Sequence, residues 1–397
     1  MDTSLTLNWK DSDYYLRHPA SQHARDACVA RVDWDALCTY ASSINQGKPC
    51  SLLPDSTMGG VHLIRLVNFE DTQWIARIQL EPATPATASG LRAEIDAMEL
   101  VRARTTIPVP QVFGYKVDDT NPVRAAFTLM GFLPGSSAMD ADGGYDVHHG
   151  SILPERRDTF YREVAGIQVQ LASIRVPKIG TVVRREDNSF EVGPLPGIGG
   201  PFATATDFFI AWAKKAKFPA SEKSIRKRVP DDLAADILNS VNNFPSRLQS
   251  IARKIATNDK DPFPLYHRDL YHSNMIVDER FRIIGTSDWE GASTVPWELF
   301  EPPLFIVVGP RALDYADEDA EDRQPEDTER IGLLEESARY VRYVQEREIM
   351  LKKDKQLSTV LLDPSAQGIA RAVKVYPEGR LGFHCNVLKP FELLSTE

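Results

Sequence analysis

The feature that most constrains the fold of this chain is a polar loop of eight residues between two short apolar segments. The loop, residues 267–274, reads His-Arg-Asp-Leu-Tyr-His-Ser-Asn. A third apolar segment follows it, and Asp288 comes shortly afterwards. Short apolar segments bounded by polar turns are typical of buried strands. The pattern predicts a strand–loop–strand–loop arrangement with Asp269, Asn274 and Asp288 at the same end of a sheet.

These three residues match the chemistry of phosphoryl transfer from ATP. The protein-kinase catalytic loop follows the pattern H-R-D-L-x-x-x-N, and residues 267–274 fit it at every fixed position. In that pattern one carboxylate orients the attacking hydroxyl, while an amide oxygen and a second carboxylate hold magnesium. A lone His-x-Asp is usually a structural turn instead. The complete match and its apolar flanks favour a catalytic Asp269, with Asn274 and Asp288 as metal ligands.

An arginine in a predicted strand is the candidate for binding the nucleotide phosphates. Arg77 lies in the middle of a strand predicted over residues 74–80, and Glu94 lies on a helix predicted over 91–103. A kinase site needs a cation on the phosphates and an acid that positions it. A solvent-facing strand position is the alternative for Arg77, and Glu99 is the alternative partner. The order of strand, helix and catalytic loop favours the phosphate role for Arg77. Glu94 is preferred to Glu99 because it precedes the apolar Ile95 and Met98.

Further nucleotide contacts are predicted in the same part of the chain. Backbone amides at the glycine pair 59–60 can approach phosphate groups, although turns use glycine pairs for other reasons too. Ile75 alternates onto the face of Arg77 and is predicted to cover the adenine, and a strand over 125–132 is predicted to offer backbone groups to the base. The predicted nucleotide-binding residues are Arg77, Glu94, Gly59, Gly60, Ile75, Met130 and Phe132.

The length of 397 residues exceeds what one hydrophobic core usually supports, so we expect two lobes. The sequence predicts an N-terminal extension (1–50), a β-rich N-lobe with one helix (51–133) and a mainly helical C-lobe (134–397). A helix is predicted within 26–40, and residues 82–89 are predicted to be a linker. Helices of the C-lobe are predicted over residues 160–171, 206–216, 230–254 and 331–352.

Composition limits the partners. A formal net charge of −10 argues against nucleic acid as the main partner, because no basic face for phosphates is implied. The four cysteines have no metal-ligand spacing, and no segment has the ~20 apolar residues of a membrane helix. The first ten residues lack the pattern of a signal peptide. We therefore expect a cytoplasmic protein with no membrane contact.

The chain resembles the aminoglycoside phosphotransferase and choline kinase-type branch of the kinase-like fold, and most of all the fungal phosphotransferase enzyme family proteins. The resemblance covers roughly residues 50–310. The segments that carry it are Gly59–Gly60, Trp74–Ile78, Ala93–Met98, Thr106–Pro110, Leu129–Gly135, Leu171–Ile174, His267–Asn274 and Asp288–Glu290.

The resemblance implies a bilobal protein-kinase-like fold of the α+β class, with ATP and Mg²⁺ as cofactors. It implies that Asp269 is the catalytic base, that Asn274 and Asp288 hold magnesium, and that Arg77 and Glu94 anchor phosphates. Two departures bear on the rate. Arg77 replaces the lysine of other kinases, and the planar guanidinium cannot occupy the same tight position. Ser287 stands where an apolar residue usually precedes the aspartate.

Three functions are compatible with this pattern. The first is a small-molecule kinase that phosphorylates a hydroxyl of a small metabolite, in secondary metabolism or antibiotic modification. The second is a protein kinase, against which Asp288 is followed by Trp-Glu rather than Phe-Gly. The third is a pseudokinase-like binding or regulatory module. The acceptor and any protein partner are not predicted, and the acidic run 314–329 is either a solvated loop or a lid for a cationic acceptor.

Overall fold

The computed structural model describes residues 12–260, 262–314 and 327–393. By its internal contacts the chain divides into two compact units, Met1–Phe160 with His272–Gly291, and Tyr161–Tyr271 with Ala292–Glu397. Most of the acidic run lies outside the described residues, as do the first ten residues on which the signal-peptide expectation rests. The lobe boundaries predicted after residues 50 and 133 stay a prediction.

The strands are short and numerous. In chain order they are β1 (Cys50–Met58), β2 (His62–Phe69), β3 (Gln73–Gln79), β4 (Val112–Lys116), β5 (Phe127–Gly131), β6 (Ser136–Ser137), β7 (Arg175–Val176), β8 (Gly180–Arg184), β9 (Phe190–Gly193), β10 (Phe263–Tyr266), β11 (Met275–Val277), β12 (Ile283–Thr286) and β13 (Ser293–Thr294).

The helices are distributed along the described part of the chain. They are α1 (Ser12–Arg17), α2 (Pro19–Arg31), α3 (Trp34–Ile44), α4 (Pro85–Arg104), α5 (Gly144–His148), α6 (Pro154–Ser173), α7 (Ala205–Lys215), α8 (Glu222–Arg228), α9 (Asp231–Ser250), α10 (Ala252–Ile255), α11 (Asp327–Met350), α12 (Gln356–Leu362), α13 (Pro364–Val375) and α14 (Lys389–Glu392).

The first unit is built on an antiparallel five-stranded sheet with the order β1-β2-β3-β5-β4. Successive strand residues point to opposite faces, so one face can be apolar and the other polar. Leu63, Trp74, Ala76 and Ile78 are buried on one face, where they pack with α2 and α3. The alternation predicted for the strand over 74–80 is therefore present in β3, and the opposite face of the sheet remains available for the site.

Two boundaries in this unit differ from the sequence prediction because of helix caps. The helix expected within 26–40 is two helices, since the Asp33 carboxylate accepts a hydrogen bond from the Ala36 amide at 2.9 Å and starts a new helix there. The linker expected at 82–89 is the first turn of α4. Thr84 caps this turn, and Pro85 occupies the first helical position, where its missing N–H costs nothing.

A β-hairpin forms where the sequence predicted strands around the second part of the catalytic motif. Strands β11 and β12 are antiparallel, and Met275 pairs with Thr286. The short strand β6 adds to the outer side of β11 to complete a three-stranded sheet. The predicted hairpin is therefore present in the first unit, together with Asn274 and Asp288 at its open end.

The second unit is mainly helical. Its small sheet has the order β7-β10-β13-β8-β9, and its main core is formed by α7, α9 and α13 with the segment around Leu388. The predicted helices at 160–171, 206–216 and 331–352 are present as α6, α7 and α11, while the one at 230–254 is divided into α9 and α10. The predicted α+β class, with a β-rich first part and a mainly helical second part, is confirmed. No helix in the described ranges is long and apolar enough to cross a membrane.

The glycine at the end of the segment Leu133-Pro134-Gly135 tests how tightly the hairpin is packed. A Cβ atom at Gly135 would lie 2.3 Å from the Val277 carbonyl oxygen, whereas one at Gly59 would meet no heavy atom within 4 Å. We predict that Gly135→Ala lowers the free energy of unfolding by about 1–3 kcal/mol, because the backbone of β11 must move. Gly59→Ala is the control with little expected change. Equal unfolding midpoints for both variants would contradict this packing.

Candidate active site

The central feature of the site is a buried ion pair between β3 and α4. The Arg77 guanidinium contacts the Glu94 carboxylate through Nη1 and Oε1. The Glu94 side chain is 3% exposed, so its charge has little access to water. The other guanidinium nitrogen, Nη2, lies 3.5 Å from Oδ1 of Asp288. A single arginine therefore connects the helix carboxylate with the carboxylate predicted to bind metal.

Strand alternation determines which side chains share this face. In β3, Ile75 and Arg77 are partly exposed, whereas their neighbours in sequence are buried in the core. Ile75 lies opposite Met130 of β5 in the strand register. Ile75, Arg77 and Met130 are therefore on one face, as predicted for a surface that binds a nucleotide. Phe132 lies beyond the end of β5, and its amide donates to the Gln73 carbonyl at 3.3 Å.

The glycine pair lies in the turn between β1 and β2. Strand β1, which contains several polar residues, precedes the pair and was not predicted from the sequence. The Gly59 amide donates to the His62 carbonyl at 3.1 Å. A Cβ atom added at Gly59 or Gly60 would have no heavy atom within 4 Å. The turn therefore leaves open space above its backbone, which suits a ligand that approaches amide groups.

The two predicted metal ligands lie next to each other at the open end of the β11–β12 hairpin. Asn274 directly precedes β11, and Ser287 directly follows β12. The Ser287 amide donates to the Asn274 carbonyl at 2.9 Å, which ties the two chain segments together. The next residue, Asp288, has a φ of 56°, in the left-handed region that Asp tolerates better than most residues. The hairpin thus brings the backbones of Asn274 and Asp288 to the same end.

Neighbouring residues fix the position of this hairpin end. The Thr286 amide and hydroxyl donate to the Pro108 carbonyl at 2.8 and 3.0 Å. The Trp289 side chain is buried, and its indole N–H donates to the Thr286 carbonyl at 3.2 Å. Asp288 lies between these two anchored residues, yet its side chain is 44% exposed. The backbone of Asp288 is therefore held in place while its carboxylate remains accessible.

Asn274 and Asp288 fit a magnesium ion by their chemistry. Mg²⁺ prefers oxygen ligands and is usually bound by one or two carboxylates together with substrate phosphates and water. An amide oxygen and an accessible carboxylate, adjacent at one hairpin end, are donors of this kind. The Arg77 guanidinium beside Asp288 adds a positive charge on the side where phosphates would bind.

Burial changes the ionisation of two groups near Arg77. Burial raises the pKa of the Glu94 carboxyl, and the adjacent Arg77 charge opposes that shift. Burial also lowers the pKa of His62 to about 3, and Arg77 lowers it further in the same direction. His62 follows the glycine turn and is neutral at physiological pH. His62 was not predicted from the sequence. Its place next to the buried Leu63 in β2 was a signal that its side chain lies on the opposite face of the strand.

The catalytic motif's aspartate lies in the second unit, on a loop whose backbone is extensively hydrogen bonded. The Asp269 carbonyl accepts from the Tyr271 amide at 2.8 Å, and the Leu270 carbonyl accepts from the Leu304 amide at 3.1 Å. The carbonyl of Arg268 accepts from Nζ of Lys374 at 3.1 Å. Lys374 was not predicted from the sequence. Its place in the apolar helix sequence Ala-Val-Lys-Val was a signal that its side chain packs against the protein.

The structure brings together Arg77, Glu94 and Asp288, and it places Asn274 beside Ser287 on the same hairpin. The strand before Asp269, β10, lies in a different sheet from β11 and β12, so the expectation of one shared sheet is wrong. Asp269 belongs to the other unit, and its position relative to the metal ligands stays a prediction. The roles assigned to these residues, and to Gly59, Gly60, Ile75, Met130 and Phe132, likewise stay predictions.

Comparison with known sequences identifies one family. The sequence profile described as the phosphotransferase enzyme family matches residues 64–297, which is more than half of the chain. A relative in Saccharomyces cerevisiae, the mitochondrial protein called altered inheritance of mitochondria protein 9, is 24% identical over 281 residues, covering 56% of this chain and 45% of the relative. A subtelomeric hrmA-associated cluster protein of Aspergillus fumigatus is 26% identical over 156 residues, covering 36% and 28%. The chain thus spans less than half the length of either relative.

Solved structures with similar folds have low identity. Macrolide 2'-phosphotransferase type I is 13% identical with a TM-score of 0.42, covering 98% of this chain and 100% of that chain. A ternary complex of the aminoglycoside phosphotransferase APH(4)-Ia with AMP-PNP and hygromycin B is 13% identical with a TM-score of 0.44, covering 90% and 93%. At these scores the likeness supports no inference about substrates.

The buried ion pair leads to a pH-dependent prediction. Arg77→Met leaves the Glu94 carboxylate buried without its partner and should cost about 3–5 kcal/mol of unfolding free energy. Burial raises the pKa of Glu94 in the folded protein, so protonation relieves the unpaired charge at low pH, and this relief is lost as pH rises through the folded-state pKa. The loss should therefore be larger near pH 8 than near pH 5.

Denaturant unfolding of wild type and variant at both pH values measures this effect. Arg77→Lys, which keeps a cation, should lose less stability than Arg77→Met. The double variant Arg77→Met/Glu94→Gln removes the carboxylate and should remove the difference between the two pH values. The same loss for Arg77→Met at both pH values would show that the Glu94 charge does not depend on Arg77.

Proposed function

Because the chain belongs to the phosphotransferase enzyme family, we propose that it is a small-molecule kinase that transfers the γ-phosphate of ATP to a hydroxyl group of a small metabolite. The observation that carries this proposal is the position of Arg77 between Glu94 and Asp288. A cation held by a buried acid, beside an accessible carboxylate, is the arrangement needed to bind nucleotide phosphates together with a metal ion.

In this proposal the first unit binds the nucleotide. Glu94 orients the Arg77 guanidinium, whose planar group can make two parallel hydrogen bonds to phosphate oxygens. Backbone amides at Gly59 and Gly60 approach the phosphates from the turn. The adenine lies against Ile75 and Met130, and backbone groups near Phe132 bind its edge. The neutral His62 provides a hydrogen-bonding group beside the phosphates without adding charge.

Asn274 and Asp288 would hold the magnesium ion. When bound, the ion neutralises charge on the phosphate oxygens and helps to align the γ-phosphate for transfer. Asp269 accepts a hydrogen bond from the acceptor hydroxyl and takes up its proton as the oxygen attacks the γ-phosphorus, while the bond from that phosphorus to the bridging oxygen breaks and ADP leaves. Asp269 acts on the acceptor, and Arg77 acts on the nucleotide. Loss of Asp269 should therefore change kcat, and loss of Arg77 should change the affinity for ATP.

Two alternatives make different predictions. A protein kinase needs an activation segment after the metal-binding aspartate, yet only seven residues separate Asp288 from Pro296-Trp297-Glu298. A pseudokinase-like module is favoured only by Arg77 in place of lysine. Such a module would bind nucleotide without transferring phosphate. We include in the proposal that the acceptor is a secondary metabolite or an antibiotic. The cytoplasmic location stays a prediction.

An activity screen tests the proposal directly. Purified protein is incubated with ATP, MgCl₂ and pools of hydroxylated metabolites that include sugars, amino alcohols and other alcohols. ATP consumption identifies active pools, and mass spectrometry must then detect an acceptor that has gained one phosphate group. Nucleotide binding without any phosphorylated acceptor across the library would favour the pseudokinase-like module instead.

Asp288 is predicted to link nucleotide binding to magnesium. Asp288→Asn removes the charge but keeps the shape, so the metal is less well compensated and the phosphates are misaligned. We expect the Mg²⁺-dependent part of ATP affinity to be lost and turnover to fall on the order of 10²–10³-fold. Calorimetric ATP titrations with and without MgCl₂ measure the first effect.

The matched control is Glu279→Gln, which makes the same charge change on an exposed residue at the turn of the same hairpin. This control should bind ATP and turn over as wild type does. Normal turnover in Asp288→Asn would remove Asp288 from the metal site, and equal defects in both variants would indicate a general charge effect.

Asp269 is predicted to serve the chemical step. Asp269→Asn should lower kcat by about 10²–10⁴-fold, because the base that receives the hydroxyl proton is lost. The Kd for ATP should change by less than about twofold, because Asp269 contacts the acceptor rather than the nucleotide. Asp207→Asn, at an exposed residue of the same unit, is the control. A collapse of ATP affinity in Asp269→Asn would move this residue to the metal site.

A further inference from the structure

A buried polar network in the second unit is linked through Lys374 to the backbone of the catalytic loop. The Tyr340 hydroxyl on α11 donates to Oε1 of Gln168 on α6 at 2.9 Å. The Gln168 amide Nε2 donates to the Glu301 carbonyl at 2.7 Å. Tyr340, Gln168 and Glu301 are all buried. Buried polar groups of this kind hold their partners in one arrangement, because an unpaired group would be costly.

Lys374 connects this network to the loop. Its Nζ lies 3.6 Å from Oε2 of Glu301, and the exposed fractions of the two side chains are 15% and 3%. The same ammonium group donates to the Arg268 carbonyl at 3.1 Å. Arg268 immediately precedes Asp269, so a charged side chain from the end of α13 is bound to the backbone next to the proposed base.

The three successive carbonyls of the loop have different kinds of partner. Those of Asp269 and Leu270 accept from the backbone amides of Tyr271 and Leu304, as is usual for turns. The carbonyl of Arg268 instead accepts from the side chain of Lys374. A hydrogen bond from an ionised donor is roughly twice as strong as a neutral one. The carbonyl beside Asp269 is therefore the one of the three whose partner is a charged side chain.

Contacts of α13 hold Lys374 in place. Gln367, two turns earlier on α13, donates from Nε2 to the Phe300 carbonyl at 3.0 Å. This bond ties α13 to the chain segment that carries Glu301. Burial lowers the pKa of Lys374, and the Glu301 carboxylate opposes that shift. The helix and its ion pair thus bring a half-buried cation to a defined point on the loop.

We propose that Lys374, held by Glu301, is a positioning residue that fixes the backbone of the catalytic loop so that Asp269 can accept the proton of the acceptor. The inference rests on the proposed function for its kinetic consequence. It does not require Lys374 to touch the nucleotide or the acceptor. Replacing Lys374 with an uncharged residue should therefore lower kcat and leave the affinity for ATP unchanged.

Hydrogen–deuterium exchange provides a test that does not depend on activity. Lys374→Met should accelerate exchange of the Tyr271 and Leu304 amides, which are bonded to the two following loop carbonyls, by about tenfold or more. Arg247→Met, which breaks the ion pair of Arg247 with Glu392 elsewhere in the same unit, is the matched control and should leave these amides unchanged. Unchanged exchange in Lys374→Met would overturn the proposal.

Kinetics then separate positioning from general stability. Lys374→Met should lower kcat by about 10–100-fold with an unchanged Kd for ATP, because small displacements of a reacting group are sufficient to slow the reaction. In the Asp269→Asn background the same change should cause no further loss, because Lys374 acts through Asp269. A weakened Kd for ATP, or additive losses, would overturn the proposal.

A double variant covers the case in which Lys374→Met folds poorly. Lys374→Met/Glu301→Gln removes both charges, so the buried carboxylate no longer lacks a partner and stability should recover. Exchange at Tyr271 should stay fast and kcat should stay low, because the carbonyl of Arg268 still lacks its donor. Recovery of kcat together with stability would show that Lys374 is merely structural.

The two proposals can fail separately. If the wild-type protein phosphorylates no acceptor, the proposed function fails, and the exchange measurement still decides whether Lys374 fixes the loop. If wild type is active and Lys374→Met keeps normal kcat and normal exchange, the positioning role fails while the kinase proposal stands.

Discussion

The buried charge of Glu94 is the constraint on which the site in the first unit depends. A carboxylate that is 3% exposed cannot remain ionised without a cation beside it. Arg77 supplies that cation from the neighbouring strand, and its second nitrogen reaches towards Asp288. The cost of leaving Glu94 unpaired thus fixes the guanidinium in one orientation. Strand, helix and hairpin end are thus coupled through one side chain, which gives the guanidinium a defined direction.

The second unit uses the same physical device for a different purpose. There the ion pair joins Glu301 with Lys374, and the remaining hydrogen-bonding capacity of the cation is directed at the backbone of the catalytic loop. In both pairs a buried carboxylate holds a cation in one position. In the first unit the cation also contacts Asp288, and in the second it also donates to the Arg268 carbonyl. Phosphoryl transfer depends mainly on positioning and electrostatics, so such pairs are suited to this chemistry.

Much of this arrangement follows from local patterns. The period-two alternation of β3 predicted that Ile75 and Arg77 share a face, and the α+β class followed from the change from strand to helical spacing. The predictions failed where polar residues form regular structure. Asp33 lies within the single helix predicted in 26–40 and Thr84 within the linker predicted at 82–89, yet each caps a helix. Strand β1 was missed because its pattern of burial is irregular and half of it is polar.

The sequence by itself determined the composition of the site and the β11–β12 hairpin, because a hairpin depends on contacts between residues close in the chain. Spacing alone therefore predicted that Asn274 and Asp288 would be neighbours. Only the tertiary structure decided which acid pairs with Arg77, since Glu94 and Glu99 lie on the same helix and their burial depends on how that helix packs. The same holds for Lys374, which is 106 residues from the carbonyl that it binds. Such contacts arise from packing, and no local pattern specifies them.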